Sequence, residues 1–132
     1  MAAFAALDVS KKSTSIHIVD EKGVCLWRGK TLTNPAALAE ALSPFSDDLT
    51  LVGLETGSWT TWLWHELTER GFPMVCMDAR QAHAALSVTI NKTDANDAQG
   101  LAHLLRTGLF REVRVKGWED VQKRTLLRAR ST

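Results

Sequence analysis

Two uncharged and nearly all apolar runs, separated by a helix-forming segment, constrain the fold of this chain most strongly. Residues 49–54 (LTLVGL) and 72–77 (FPMVCM) are typical of strands buried on both faces of a parallel sheet. Apolar residues recur between them at helical spacing, and Gly71 ends that segment. The apolar stripe consists of Trp59, Trp62, Leu63 and Leu67. Because two parallel strands joined by a helix need a right-handed crossover, the pattern predicts an α/β sheet.

Three shorter β-prone runs precede this unit, at residues 4–9, 15–19 and 24–31. The gap at residues 20–23 (DEKG) is a polar turn that ends in glycine, so the three runs are predicted to pair as an antiparallel meander. Asn34 is then predicted to cap a helix whose first residue is Pro35.

Two further helices are predicted after the second buried strand. Asp78 is placed to cap the first, and Ser58 is predicted to cap the earlier helix between the buried strands. The last helix is predicted over residues 94–107, where Gly108 stops it. This order of elements is that of a ribonuclease-H-like α/β fold, with three layers and a mixed five-stranded sheet flanked by helices.

The length of 132 residues suits one domain, and a hydrophobic content of 45% is enough for a core. We assign residues 1–117 to this domain and residues 118–132 to the start of a helical linker that leads to a missing C-terminal domain. Because no run approaches the ~20 apolar residues of a membrane span, a cytoplasmic protein with no membrane partner is expected. Cys25 and Cys76 lie in apolar stretches and are predicted to be small buried thiols.

Four carboxylates are placed so that they could meet. Asp8 and Glu55 end predicted strands, and Asp94 and Asp97 lie three residues apart near a helix start, where they would share a face. Two such charges about 4 Å apart repel by roughly 4 kcal/mol at an effective dielectric of 20. The four carboxylates could therefore lie close together only if cations offset this repulsion. Mg²⁺ or Mn²⁺, with two ions, would satisfy the carboxylates and act on a phosphodiester. The alternative is that acids at a helix start only cap it.

The basic residues are concentrated at the end of the chain. Residues 106–130 carry eight basic and three acidic residues, whereas the rest carries eight basic and twelve acidic ones. A cationic segment beside a metal site would hold a nucleic-acid backbone, although a solvated helix face or exposed turn lysines would look the same. The candidate nucleic-acid-binding residues are Lys11, Lys12, Lys92, Arg106, Arg124 and Arg128.

The histidines and tryptophans are less informative. The four histidines form no set with metal-ligand spacing, and His17 is predicted to be an exposed strand residue. Trp59 and Trp62 are predicted to belong to the core stripe, with base stacking as the alternative for the tryptophans.

Several motifs resemble the N-terminal, RuvC-like domain of the DEDD insertion-sequence transposases. They are LDVSKK at residues 7–12, GLETG at 53–57, DAR at 78–80, NKTDANDA at 91–98 and LLRTG at 104–108. The resemblance implies that Asp8, Glu55, Asp94 and Asp97 are the D, E, D and D that hold Mg²⁺. It further implies DNA recombination guided by a structured RNA, a homo-oligomer in the full-length protein, and a C-terminal domain that contributes a serine nucleophile.

Three other functions fit parts of the pattern. A stand-alone nuclease of the Holliday-junction-resolvase type would need no further domain. An actin-like or sugar-kinase-like ATPase also begins with an Asp-bearing strand, but its hairpin should be glycine-rich, and here residues 11–13 are KKS. In a non-catalytic docking module the acids would only cap helices.

Overall fold

The computed structural model describes residues 2–89 and 97–115. The elements of this part follow the predicted order of meander, helix, strand, helix, strand and helices. They are β1 (Ala3–Val9), β2 (Ser13–Asp20), β3 (Cys25–Leu32), α1 (Pro35–Leu42), a 3₁₀ turn (Ser43–Phe45), β4 (Leu49–Glu55), α2 (Thr60–Glu69), β5 (Met74–Met77), α3 (Ala79–Thr89) and α4 (Asp97–Thr107).

The five strands form one mixed sheet in the order β3-β2-β1-β4-β5. The pairs β1/β2 and β2/β3 are antiparallel, as the meander predicted. The pairs β1/β4 and β4/β5 are parallel, which confirms the crossovers predicted from the two buried runs. The first and fourth strands are therefore neighbours, and their carboxyl ends lie side by side.

Local capping explains where the helices begin and end. The Asn34 side-chain oxygen accepts hydrogen bonds from the backbone N–H groups of Ala36 and Ala37, at 2.8 and 3.2 Å. The Asp78 carboxylate accepts one from the Gln81 N–H at 3.1 Å, so both predicted caps are confirmed. Gly71 and Gly108 adopt φ values of +90° and +76°, the left-handed conformation that follows many helices.

The predicted Ser58 cap is wrong. Helix α2 begins at Thr60, and its N-cap residue Trp59 makes no side-chain capping bond. Instead, the Thr60 hydroxyl donates to the Glu55 carbonyl at 2.6 Å. The loop is thus fastened to the end of β4 by the first residue of the helix.

The sheet separates two buried clusters. One, which we call the α1/α2 face, consists of Ala3, Ala5, Leu7, Ile16, Ile18, Leu38, Leu42, Val52, Leu54, Leu63 and Leu67. The other, the α3/α4 face, consists of Ala6, Val19, Val75, Met77, Ala82, Leu101, Ala102, Leu104 and Leu105. Because successive strand residues point to opposite faces, each central strand supplies both clusters. This is the predicted three-layer arrangement.

Three predicted burial states are wrong. Cys25 is exposed because β3 is an edge strand of the sheet. Cys76, in contrast, is buried in β5 as predicted. Burial raises the pKa of the Cys76 thiol to about 11. His17 is only 7% exposed because it faces the same side as α4. Trp59 is 38% exposed because it precedes α2, whereas Trp62 packs against the α1/α2 face.

The segment after α4 returns to the sheet. Glu112 forms an antiparallel bridge with Met77, and the Val113 N–H donates to the Cys76 carbonyl at 2.9 Å. The Asp78 N–H also donates to the Arg111 carbonyl at 2.8 Å. This segment therefore holds the junction of β5 and α3.

Several predictions fall outside the described residues: Lys92, Asp94, Arg124, Arg128 and the linker helix at 118–132. Within residues 2–89 and 97–115, no helix is long and apolar enough to cross a membrane.

Candidate active-site cleft

The parallel pair β1/β4 brings two of the predicted acids together. Leu7 of β1 is paired with Leu54 of β4, and both side chains belong to the α1/α2 face. The next residue of each strand points to the opposite side, so Asp8 and Glu55 both project toward the α3/α4 face. Two carboxylates thus leave neighbouring strands at the same level of the sheet.

Asp8 and Glu55 line one cleft of about 300 Å³ at the carboxyl ends of these strands. In open α/β sheets this is where ligands bind. The other lining residues are Leu7, Val9, Thr56, Gly57, Ser58, Trp59, Thr60 and His83. Trp59 therefore contributes an exposed indole to this cleft instead of a core contact.

His83 is a site residue that the sequence analysis missed. Its Nε2 lies 3.0 Å from Glu55 Oε2, the distance at which an imidazole N–H donates to a carboxylate. The Glu55 side chain is 20% exposed and that of His83 is 64% exposed, so the pair lies at the cleft wall with the histidine outward. The sequence spacing of 28 residues gives no hint of this contact, which depends on how α3 is oriented over β4.

The backbone around Glu55 is tightly held. The Thr60 hydroxyl donates to the Glu55 carbonyl, and the Thr56 N–H donates to the Met77 carbonyl at 2.9 Å. The Thr56 hydroxyl accepts the Ala79 N–H at 3.0 Å. These bonds join β4, β5, α2 and α3 at one point, which fixes the direction in which Glu55 leaves its strand.

Gly53 allows α4 to approach the sheet near this point. A β-carbon at residue 53 would lie 2.9 Å from both Leu105 Cδ1 and Met77 Cε, closer than side chains tolerate. Helix α4 starts at Asp97, and the following residue, Ala98, lines a groove together with Ser15, the β2 partner of Asp8. The backbone of α4 therefore begins on the side of the sheet to which Asp8 points.

The structure brings Asp8 and Glu55 together. Residue 94 and the side chain of Asp97 are not among those that the structure describes. Among the described side chains, no group of three His, Cys, Asp or Glu residues is arranged to hold a metal ion. The four-carboxylate cluster therefore stays a prediction, with two of its four members placed in one cleft.

The basic candidates fall at two ends of the sheet. Lys11 and Lys12 are exposed in the turn directly after β1, next to the Asp8 end. Arg106 is at the other end, where its guanidinium lies 3.5 Å from the Glu21 carbonyl and 3.5 Å from His103 Nδ1. Arg106 thus contacts the β2/β3 turn and does not line the cleft that contains Asp8 and Glu55.

The family comparison identifies the chain. A family model of DEDD transposases of the IS110 type, described as a transposase, matches residues 5–132. The chain belongs to this family. It is a transposase domain, and its predicted resemblance and enzyme class are confirmed. No curated protein sequence matches it.

Solved structures support the fold. RuvC of T. thermophilus in complex with a Holliday junction substrate matches with a TM-score of 0.57 and 14% identity, covering 86% of this chain and 100% of that one. A second Thermus thermophilus RuvC structure gives a TM-score of 0.56 and 15% identity, covering 84% and 99%. The large terminase nuclease of the thermophilic phage G20c with bound zinc gives a TM-score of 0.51 and 13% identity, covering 82% and 61%. The RuvC-like, ribonuclease-H-like fold of the transposase domain is thereby confirmed.

Proposed function

We propose that this transposase domain cleaves and transfers DNA strands at a divalent-metal site formed by Asp8, Glu55, Asp94 and Asp97. One observation carries the proposal: Asp8 and Glu55 leave adjacent parallel strands side by side and line the same cleft. Family membership supports DNA as the substrate, because transposases act on DNA.

The donor set of the cleft fits a hard cation. Carboxylate oxygens are the ligands that Mg²⁺ and Mn²⁺ prefer, and such ions keep several waters, for which an open cleft leaves room. The Glu55 side chain is 20% exposed, and a cation between it and Asp8 would offset the repulsion between the two carboxylates. We propose two Mg²⁺ or Mn²⁺ ions, which would activate an attacking oxygen and stabilise the leaving oxygen of a phosphodiester.

The surrounding side chains have separate roles in this proposal. Glu55 is held by the fixed loop behind it and by His83, so its carboxylate is oriented before metal arrives. Trp59 offers an exposed aromatic face on which a base next to the reacting phosphate can stack. Lys11 and Lys12 would hold neighbouring phosphates.

Three further partners of the domain are proposed from the family resemblance. They are a guide RNA, a second copy of the full-length protein, and a C-terminal domain that supplies the serine nucleophile. The cytoplasmic location and the assignment of residues 1–117 and 118–132 to domain and linker are likewise proposals.

Metal-dependent melting tests the site. Adding Mn²⁺ to the chain is expected to raise its melting temperature, because a ligand at 100 times its Kd stabilises the folded state by about 2.7 kcal/mol. Asp8→Asn and Glu55→Gln are each expected to abolish the rise. Glu40→Gln removes one carboxylate from the exposed side of α1 and should leave it intact. No rise in the native chain, or an equal rise in Asp8→Asn, would overturn the proposal.

The match with the T. thermophilus RuvC structure covers 100% of the RuvC chain, which favours a second candidate function. This candidate is a junction-resolving nuclease that acts without another domain. The chain alone is incubated with Mg²⁺ and either a four-way junction or a linear duplex of the same sequence. Symmetrical cutting of the junction by the native chain, lost in Asp8→Asn, would favour the resolvase. Cleavage that requires the full-length protein would favour the transposase.

A further inference from the structure

A second groove lies on the α3/α4 face, beside the cleft. Its volume is about 320 Å³, and it runs between the start of α4 and the strands β2 and β3. The strand residues that line it are Ser15, Ile16, His17, Arg28, Gly29 and Lys30, and the helix contributes Ala98 and Gln99. The described α4 wall is thus uncharged, whereas the β3 wall carries two cations.

Strand register connects this groove to the proposed metal site. Asp8 is paired with Ser15, and Ser15 is paired with Lys30, so the three side chains form one row across β1, β2 and β3. In the next row on the same face, Ala6 is paired with His17 and His17 with Arg28. Since Ala6 packs with the leucines of α4, both rows face α4.

The two cations are available for an external partner. Arg28 and Lys30 are exposed, and neither forms an ion pair with a carboxylate among the described side chains, those of residues 2–87 and 98–115. Burial, and then the positive charge of Arg28, lower the pKa of His17 from its usual 6.5. The His17 imidazole, in the second row, is therefore neutral at pH 7, and the positive charge of the groove comes from Arg28 and Lys30 alone among its described lining.

We propose that Arg28 and Lys30, which we call the β3 cation pair, bind phosphates of the DNA strand whose reacting phosphate lies at Asp8 and Glu55. This inference rests on the proposed function. Two strand spacings separate Lys30 from Asp8, about 10 Å, which corresponds to the rise of roughly three base pairs along the axis of a B-form duplex. The row Asp8, Ser15, Lys30 thus leads from the carboxylates to the first cation, and Arg28 continues the positive surface along β3.

Arg28 and Lys30 carry no signal in the sequence that would select them. Arg28 and Lys30 alternate with Trp27, Gly29 and Thr31 in an ordinary strand pattern, and only the pairing with β2 aligns them with Asp8. Their role would be to position the strand and fix its direction relative to the cleft, which phosphate contacts do without reading sequence.

The test compares DNA affinity as a function of salt. Binding of a fluorescent single-stranded DNA is measured by anisotropy without divalent metal, so that the metal site does not contribute. For the double variant Arg28→Gln/Lys30→Gln we expect affinity to fall about tenfold at low salt, and the slope of log K against log salt to shrink by about 1.4. The matched control, Lys22→Gln/Arg70→Gln, removes the same charge from the β2/β3 turn and from the end of α2.

Unchanged affinity and slope in the folded double variant would overturn the β3 cation pair. So would an equal loss in the control, or a loss seen only with an RNA of the same sequence. The double variant should retain the Mn²⁺-dependent rise in melting temperature, which also shows that it folds. If the native chain lacks that rise, the metal proposal fails, while the salt slope still decides the cation pair.

Discussion

The two faces of the sheet differ in what they bury. The α1/α2 face is built mainly from large aliphatic side chains, such as Leu7, Leu54 and Leu63. The α3/α4 face contains smaller residues, including Ala6 and Ala102, and it continues into the cleft and the groove. The comparison teaches that consecutive residues of one strand can serve stability and chemistry separately. Leu7 anchors the core, and Asp8 turns toward the proposed metal site.

Truncating the aliphatic face should have the largest effect on stability. Leu63→Ala removes a fully buried side chain, and its free energy of unfolding should fall by about 2–5 kcal/mol in urea denaturation. Leu109→Ala, at a residue that is 52% exposed, should change it by less than about 0.5 kcal/mol. Equal losses in the two variants would contradict the burial of Leu63 in the α1/α2 face.

The two helix caps allow the faces to be compared with variants that should lose the same free energy of unfolding. Asn34→Ala and Asp78→Ala each remove one capping side chain, from α1 and α3 respectively, and should each lower the free energy of unfolding by about 1 kcal/mol. Only Asp78→Ala should also weaken the Mn²⁺-dependent rise in melting temperature, because α3 carries His83. Urea denaturation and melting with Mn²⁺ measure the two effects. A weakened metal response in Asn34→Ala would remove the distinction between the faces.

The smallest expected effect is a pH dependence located on the α3/α4 face. Since burial and Arg28 lower the pKa of His17 in the folded state, the unfolded chain binds more protons below its usual pKa of 6.5. The contribution of His17 is therefore intact above that value and is lost as the pH falls through it toward the lowered folded-state pKa. Between about pH 7 and pH 5, the native chain should lose more stability in urea than His17→Gln does. Parallel curves for the two proteins would show that His17 is not the group responsible.

Much of the fold could be predicted because local patterns determine it. The uncharged run at 49–54 and the polar turn at 20–23 distinguish parallel from antiparallel strands, and Asn34, Asp78 and Gly108 mark helix ends that depend on nearby atoms. The proximity of Asp8 and Glu55 was also predictable, since each ends a strand and the topology makes those strands neighbours.

The errors concern residues whose surroundings come from distant parts of the chain. His17 alternates with apolar residues like an exposed strand position, and only α4 on that face buries it. Cys25 is exposed because its strand is the last of the sheet, a fact that composition does not reveal. His83 meets Glu55 because α3 follows β5, the neighbour of β4.

Because β3 is an edge strand of the sheet, Arg28 and Lys30 also bear on how the sheet avoids aggregation. A strand with no neighbour on one side offers unsatisfied backbone groups to other molecules, and exposed apolar residues on it promote aggregation. Val24, Leu26 and Leu32 are exposed on or beside this strand, and Arg28 and Lys30 lie among them. Positive charge on an edge strand opposes the pairing of that strand with another sheet. In the absence of DNA, Arg28 and Lys30 would therefore help to keep the protein from aggregating.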